Sequence, residues 1–174
     1  MVTLQIYKNK RMKYFVLGLI MATTIVAGCG KTAETGCTPA TPASERAAMV
    51  AYCSANNINF TEHSSGILYE IIAPGVGGSP NLSSTVNALY VGRFLDGRGF
   101  DSTSGNTTAQ FSLANVIQGW QIGIPILKAG GRIKMVIPSS LAYSCVGVKN
   151  NNTGAVVIPP NSPLFFDVTL VSFR

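Results

Sequence analysis

The sequence predicts an α+β domain in which an antiparallel sheet wraps around one short helix, with a further helix and an export segment ahead of it. Three observations carry this. Short runs of alternating apolar and polar residues, closed by Gly, Pro, Asn or Asp, recur from Ser65 to the C-terminus. Only two stretches have helical texture, residues 44–56 and 118–127. A basic cluster and an apolar run open the chain, in the manner of a targeting signal. With 47% hydrophobic and 11% charged residues in 174, the chain can fill one core, which excludes wholesale disorder.

Tyr14 to Val26 is the apolar run, preceded by Lys8, Lys10, Arg11 and Lys13 and followed by small residues. It falls short of the about 20 residues a membrane-spanning helix needs, so residues 1–28 are read as a secretory signal. Met12 opens a more ordinary signal of the same kind. Val26-Ala27-Gly28-Cys29 resembles the bacterial lipobox. The resemblance implies cleavage before Cys29, lipidation of its thiol and firm membrane anchoring, at about 0.8 kcal/mol per buried CH₂. Gly30 in place of Asp points to the outer membrane, facing the periplasm. From Cys29 onward there are nine basic against seven acidic residues, a net of +2, and they are scattered. That distribution argues against a nucleic-acid partner, despite the overall charge of +6.

Residues 29–43 are rich in Thr, Ala, Gly and Pro without apolar period, the composition of a flexible tether. A helix follows over Ser44 to Asn56, with Thr41 as its cap, Pro42 at its first position and Asn56-Asn57 at its end. Residues 44–64 are taken as this helix and a linker; Met49, Val50, Tyr52 and Cys53 suit packing on the domain or on a partner chain. The oligomeric state stays open. Residues 65–174 form the main domain, with strands expected over Ile67–Ala73, Thr85–Leu95, Gln110–Leu113, Arg132–Ile137 and Leu164–Phe173. Asp96-Gly97 signals a hairpin, Gln118 to Leu127 a helix broken at Pro125, and Cys145 to Val157 a long loop with a flexible Asn-rich tip.

Cys37, Cys53 and Cys145 remain once Cys29 is lipidated, which predicts one disulfide and one free thiol. Cys53–Cys145 would staple the helix to the long loop and Cys37–Cys53 would close a local one; the sequence does not choose. No Cys/His spacing supports a metal, and His63, the only histidine, reads as a solvated loop residue.

Conventional catalytic signatures are missing. Ser139-Ser140 lies in no GxSxG, there is no phosphate-binding glycine loop and no HExxH, and Asp96 and Asp101 do not form a glycosidase pair. What remains is an excess of apolar and aromatic residues on short strands, which suits binding and desolvation better than proton transfer.

Four blocks then fall in order. Tyr90-Val91-Gly92 leads through Asp96-Gly97 to Phe100-Asp101-Ser102; Phe111-Ser112-Leu113 precedes Val116-Ile117-Gln118-Gly119-Trp120; Ile137-Pro138 precedes Leu141-Ala142-Tyr143; and Ile158-Pro159-Pro160-Asn161 precedes Leu164, Phe166, Asp167 and Val168. Together they resemble the FKBP family of peptidyl-prolyl cis-trans isomerases. The resemblance implies an FKBP-like fold and a pocket for a proline ring, with Trp120 as floor and Tyr90, Phe100, Phe111, Val116, Ile117, Ile158 and Phe166 as walls. The Ile117 N–H and Tyr143 hydroxyl would bond substrate carbonyls, and Asp101 would sit at the rim. Tyr90, Phe100, Asp101 and Tyr143 are the implied catalytic set. It further implies proline-containing polypeptides as substrates, macrolide inhibitors as ligands, no cofactor, and a role in folding exported proteins. A non-catalytic binding or chaperone module using the same pocket is the alternative. The sequence departs from the family at Ser144-Cys145, in the long loop that follows, at Ala109, and in lacking a basic partner for Asp101 between Ser104 and Gln110.

Overall fold

The computed structural model describes residues 36–174. The signal segment, Cys29 and the first part of the tether lie outside the described residues. Helix α1 (Pro42–Ala55) begins two residues before the expected start, with Thr41 Oγ1 accepting a bond from the Ser44 N–H at 3.2 Å and Pro42 in the first turn. It stops where expected, since Asn57 turns to the left-handed φ of 52°.

The main sheet joins β1 (Thr61–Glu62), β2 (Leu68–Ala73), β3 (Thr85–Phe94), β4 (Gly99–Ser102), β5 (Ala109–Ser112), β6 (Arg132–Ile137) and β9 (Leu164–Phe173). Its order is β1-β2-β6-β9-β3-β4, with β5 beside β4 along the same edge of β3, and every pairing is antiparallel. Period-two alternation in β9 decides which helix each residue meets. Leu164, Phe166, Val168 and Leu170 join Ile133, Met135 and Ile137 in the core beneath helix α2 (Gln118–Gly123). Phe165, between two of them, faces the other way with Val136 and Leu68, and packs on Met49, Tyr52 and Cys53 of α1. The sheet thus carries a helix on each face, and α1 packs on the domain, one of the two placements the sequence allowed.

Helix α2 can lie directly on β6 because its inward positions are glycines. A Cβ on Gly119 would come within 2.6 Å of Ile137 Cδ1, and one on Gly123 would collide with Met135 Sδ. Pro125 then ends the regular helix and a short 3-10 turn, Ile124–Ile126, follows.

Two expectations are corrected beyond this frame. Part of the Cys145–Val157 loop is a hairpin, β7 (Val148–Lys149) against β8 (Val156–Ile158), because the Asn150 side chain accepts from the Asn152 and Thr153 N–H groups at 2.9 and 3.0 Å and closes the turn. The disulfide is Cys37–Cys145, neither of the two pairings weighed, and Cys53 is the buried free thiol among the described residues. Cys53 sits under α1 against the sheet, out of reach of a loop partner. The end of the tether is also held: Asn161 accepts from the Ala40 N–H and donates to the Thr38 carbonyl.

Candidate functional site

The concave side of the sheet and the N-terminal end of α2 enclose a hollow of about 280 Å³, lined by Tyr90, Phe100, Asp101, Phe111, Asn115, Val116, Ile117, Trp120, Tyr143 and Phe166. Six segments of the chain supply them: β3, β4, β5, the α2 entry, the turn after β6, and β9 only through Phe166. Nine of the ten residues singled out from the sequence line it. Ile158 does not: it ends β8 opposite Val148 with its side chain 4% exposed in the core, so it backs the site rather than walling it.

Trp120, buried to 4% exposure, forms the floor. Tyr90, Phe111 and Phe166 meet it edge to face at 5.3, 5.5 and 5.5 Å between ring centroids. Its indole Nε1 is buried and has no hydrogen-bond partner. Phe100 packs at right angles on Phe166 at 5.6 Å and lies against the backbone of Gly92, where a Cβ would stand 2.7 Å from Phe100 Cζ. Any side chain at Gly92 would force that wall to shift.

The Tyr90 hydroxyl donates to Asp101 Oδ2 at 2.6 Å. Burial, reinforced by this bond and by the carboxylate's charge, pushes the Tyr90 phenol well above its ordinary value. Burial, and then the charge of Asp101, raises Tyr143 as well. Asp101 has no ion-pair partner among the described residues, as the missing local base foretold. The phenol takes that place.

Ile117 precedes α2 in an extended conformation, its carbonyl accepting from the Trp120 and Gln121 N–H groups at 2.9 and 3.2 Å. Its own N–H, and the Tyr143 hydroxyl, have no hydrogen-bond partner among the described residues. Two residues escaped the sequence reading. Asn115 lines the hollow from an exposed turn, and Gln121 fixes the α2 entry by donating to the Ala114 and Val116 carbonyls at 3.1 and 2.9 Å. Single polar residues of this kind carry no pattern to find.

No cluster of His, Cys, Asp or Glu suited to a metal occurs among the described residues. His63 is half-buried, its Nδ1 2.9 Å from Ser65 Oγ and accepting from the Ser65 N–H, so it braces a turn.

Residues 77–171 match the family model described as FKBP-type peptidyl-prolyl cis-trans isomerase. The FKBP-type isomerase FkpA of Escherichia coli strain K12 is 40% identical over 112 residues, 64% of this chain and 39% of that protein. The outer membrane protein MIP of Legionella longbeachae is 35% identical over 111 residues, 63% of this chain and 45% of its own. The chain therefore spans less than half the length of these relatives. The crystal structure of E. coli FkpA superposes with a TM-score of 0.62 at 35% identity, covering 76% of this chain and 61% of that one. The family match, the sequence likeness and the superposition agree, and this chain belongs to the FKBP-type peptidyl-prolyl cis-trans isomerase family.

Proposed function

We propose that the protein catalyses cis–trans isomerisation of X–Pro bonds in exported polypeptides, with the proline ring seated over Trp120. The observation that carries this reading is the hollow itself: apolar, aromatic-floored, open at about 280 Å³, with the Ile117 N–H and the Tyr143 hydroxyl uncommitted at its lining. Rotation about an X–Pro bond breaks no σ-bond. Its barrier, about 18–20 kcal/mol, is amide resonance lost in the twisted state. An environment that excludes water disfavours the dipolar planar form relative to the twisted one, whose charge separation is smaller. The Ile117 N–H and Tyr143 hydroxyl then hold substrate carbonyls in the twisted geometry, which neither planar isomer matches. Asp101, oriented by Tyr90, faces the carbonyl carbon of the residue before proline. Each tenfold in rate asks for about 1.4 kcal/mol of such differential binding. No base, nucleophile or cofactor is demanded.

The test is a proline-limited refolding reaction, whose uncatalysed phase lasts tens to hundreds of seconds. Substoichiometric full-length protein is expected to shorten that phase. An unchanged phase, with client still bound, would replace the isomerase with a binding module. Macrolide inhibitors are expected to occupy the same hollow and to compete with substrate.

We place the protein in the bacterial cell envelope, lipid-anchored through Cys29 and facing the periplasm from the outer membrane. The lipobox-like Val26–Cys29 stretch and the outer-membrane naming of a relative support this. Cys29→Ser is expected to move the protein from membrane to soluble fractions; equal membrane association in both forms counts against the anchor.

A further inference from the structure

We propose that the N-terminal segment, residues 37–55, sets the position of Tyr143 through two grips: a hydrogen bond from Ser139 to Glu45 and the Cys37–Cys145 disulfide. The proposal rests on reading Tyr143 as a donor to substrate. A donor useful in a twisted geometry must be held to within a fraction of an ångström, since small misplacements cost large factors in rate. Tyr143 lies on a turn, not on a strand or helix, so something must fix that turn.

Its own backbone does part of this. The Ser144 N–H donates to the Ser139 carbonyl at 2.7 Å and the Gly147 N–H to the Tyr143 carbonyl at 3.0 Å. Ser144 sits at a φ of 52°, a left-handed conformation that a serine keeps only where its surroundings impose it. The surroundings come from the N-terminus, on both sides of Tyr143. Ahead of it, Glu45 of α1 reaches across with its side chain 9% exposed, and Oε2 accepts from the Ser139 N–H at 2.7 Å. Burying a carboxyl group there is costly, and an apolar residue would serve packing alone at least as well. Behind it, Cys145 is bonded to Cys37. Asn161 ties the same two pieces again. Its N–H donates to the Ser144 carbonyl at 2.8 Å, while its side chain bonds Ala40 and Thr38 at 3.0 and 3.1 Å.

Residues 37–55 lie outside the 77–171 stretch that matches the family. This is therefore an attachment of the chain's own N-terminus to a turn of the family's domain. Glu45, Cys37 and Cys145 act as positioning residues, because none of them lines the hollow.

The test uses full-length protein labelled with 3-fluorotyrosine, with the Tyr143 ¹⁹F resonance assigned through Tyr143→Phe. Glu45→Gln and the Cys37→Ser/Cys145→Ser pair are expected to shift or broaden that resonance and leave in place the signal of Tyr69, which lies on β2 opposite Met135. Each is expected to lower kcat/KM by about threefold to tenfold. In a Tyr143→Phe background the same substitutions should change kcat/KM by less than about twofold, the mark of a shared path. An unmoved Tyr143 resonance, or equal losses with and without the Tyr143 hydroxyl, overturns the proposal. Should Glu45→Gln fail to fold, the cysteine pair decides, as does treating the folded parent with dithiothreitol, which leaves two protein thiols and the cyclic reagent disulfide. A parent without isomerase activity defeats the functional reading alone, because the ¹⁹F spectrum needs no turnover.

Discussion

Tyr90 packs its ring edge-on to Trp120 and spends its hydroxyl on Asp101, so one side chain builds the wall and orients the carboxylate. Burial raises the proton affinity of that phenol, and does the same for Tyr52, Tyr143 and the Cys53 thiol, the last from 9.0 to about 11. In the unfolded chain these groups lose their protons earlier. Stability from them is therefore fully present below about pH 9, and is lost as pH climbs through the folded values. The urea midpoint is expected to hold up to pH 9 and to fall between pH 9 and 11. Cys53 contributes to that fall, because burial holds its thiol above the unfolded value. Cys53→Ala should make that fall shallower, the buried tyrosines keeping the rest, and an equally steep decline in that variant would show that the thiol takes no part.

At the scale of elements, the contact between α2 and β6 places the floor of the hollow. Gly119→Ala drives a methyl group into Ile137. The expected cost is about 1–3 kcal/mol in urea unfolding, with a loss of isomerase rate as Trp120 is lifted. Wild-type stability in that variant would mean the helix has slack. The long strands were legible from alternation in β9 and from the Gly130-Gly131 and Pro138 that bound β6: both match the residues expected from the sequence end for end. The β7–β8 hairpin was not, since its closure depends on one Asn150 side chain and its strands have two and three residues. The same limit applies to Ile158. Its motif places it at the site, but the parity of a strand too short to read turns it into the core. The Cys37–Cys145 pairing was out of reach because it depends on where the tether lies after folding, across a separation of 108 residues.

Over the described molecule, one sheet serves two helices that have different tasks. Its concave face holds α2 and the hollow, while its other face holds α1, whose residues reach the turn bearing Tyr143. Nine of the ten residues drawn from family motifs converge on the hollow, and the pairing of β3 with β9 along nearly their whole length brings Tyr90 and Phe166 from distant sequence to the edges of one indole. Asn115 and Gln121 join them without any sequence signal, one from an exposed turn and one as a brace. What the assembled hollow does to an imide is best read directly. Exchange spectroscopy on a short Phe-Pro peptide measures cis–trans interconversion with no refolding client involved. Catalytic amounts of full-length protein are expected to bring exchange, otherwise tens to hundreds of seconds, into the range of seconds. Asp101→Ala is expected to give up about tenfold of that rate with its melting transition unchanged. Peptide resonances that shift on binding while the exchange rate stays at its uncatalysed value would contradict the isomerase reading.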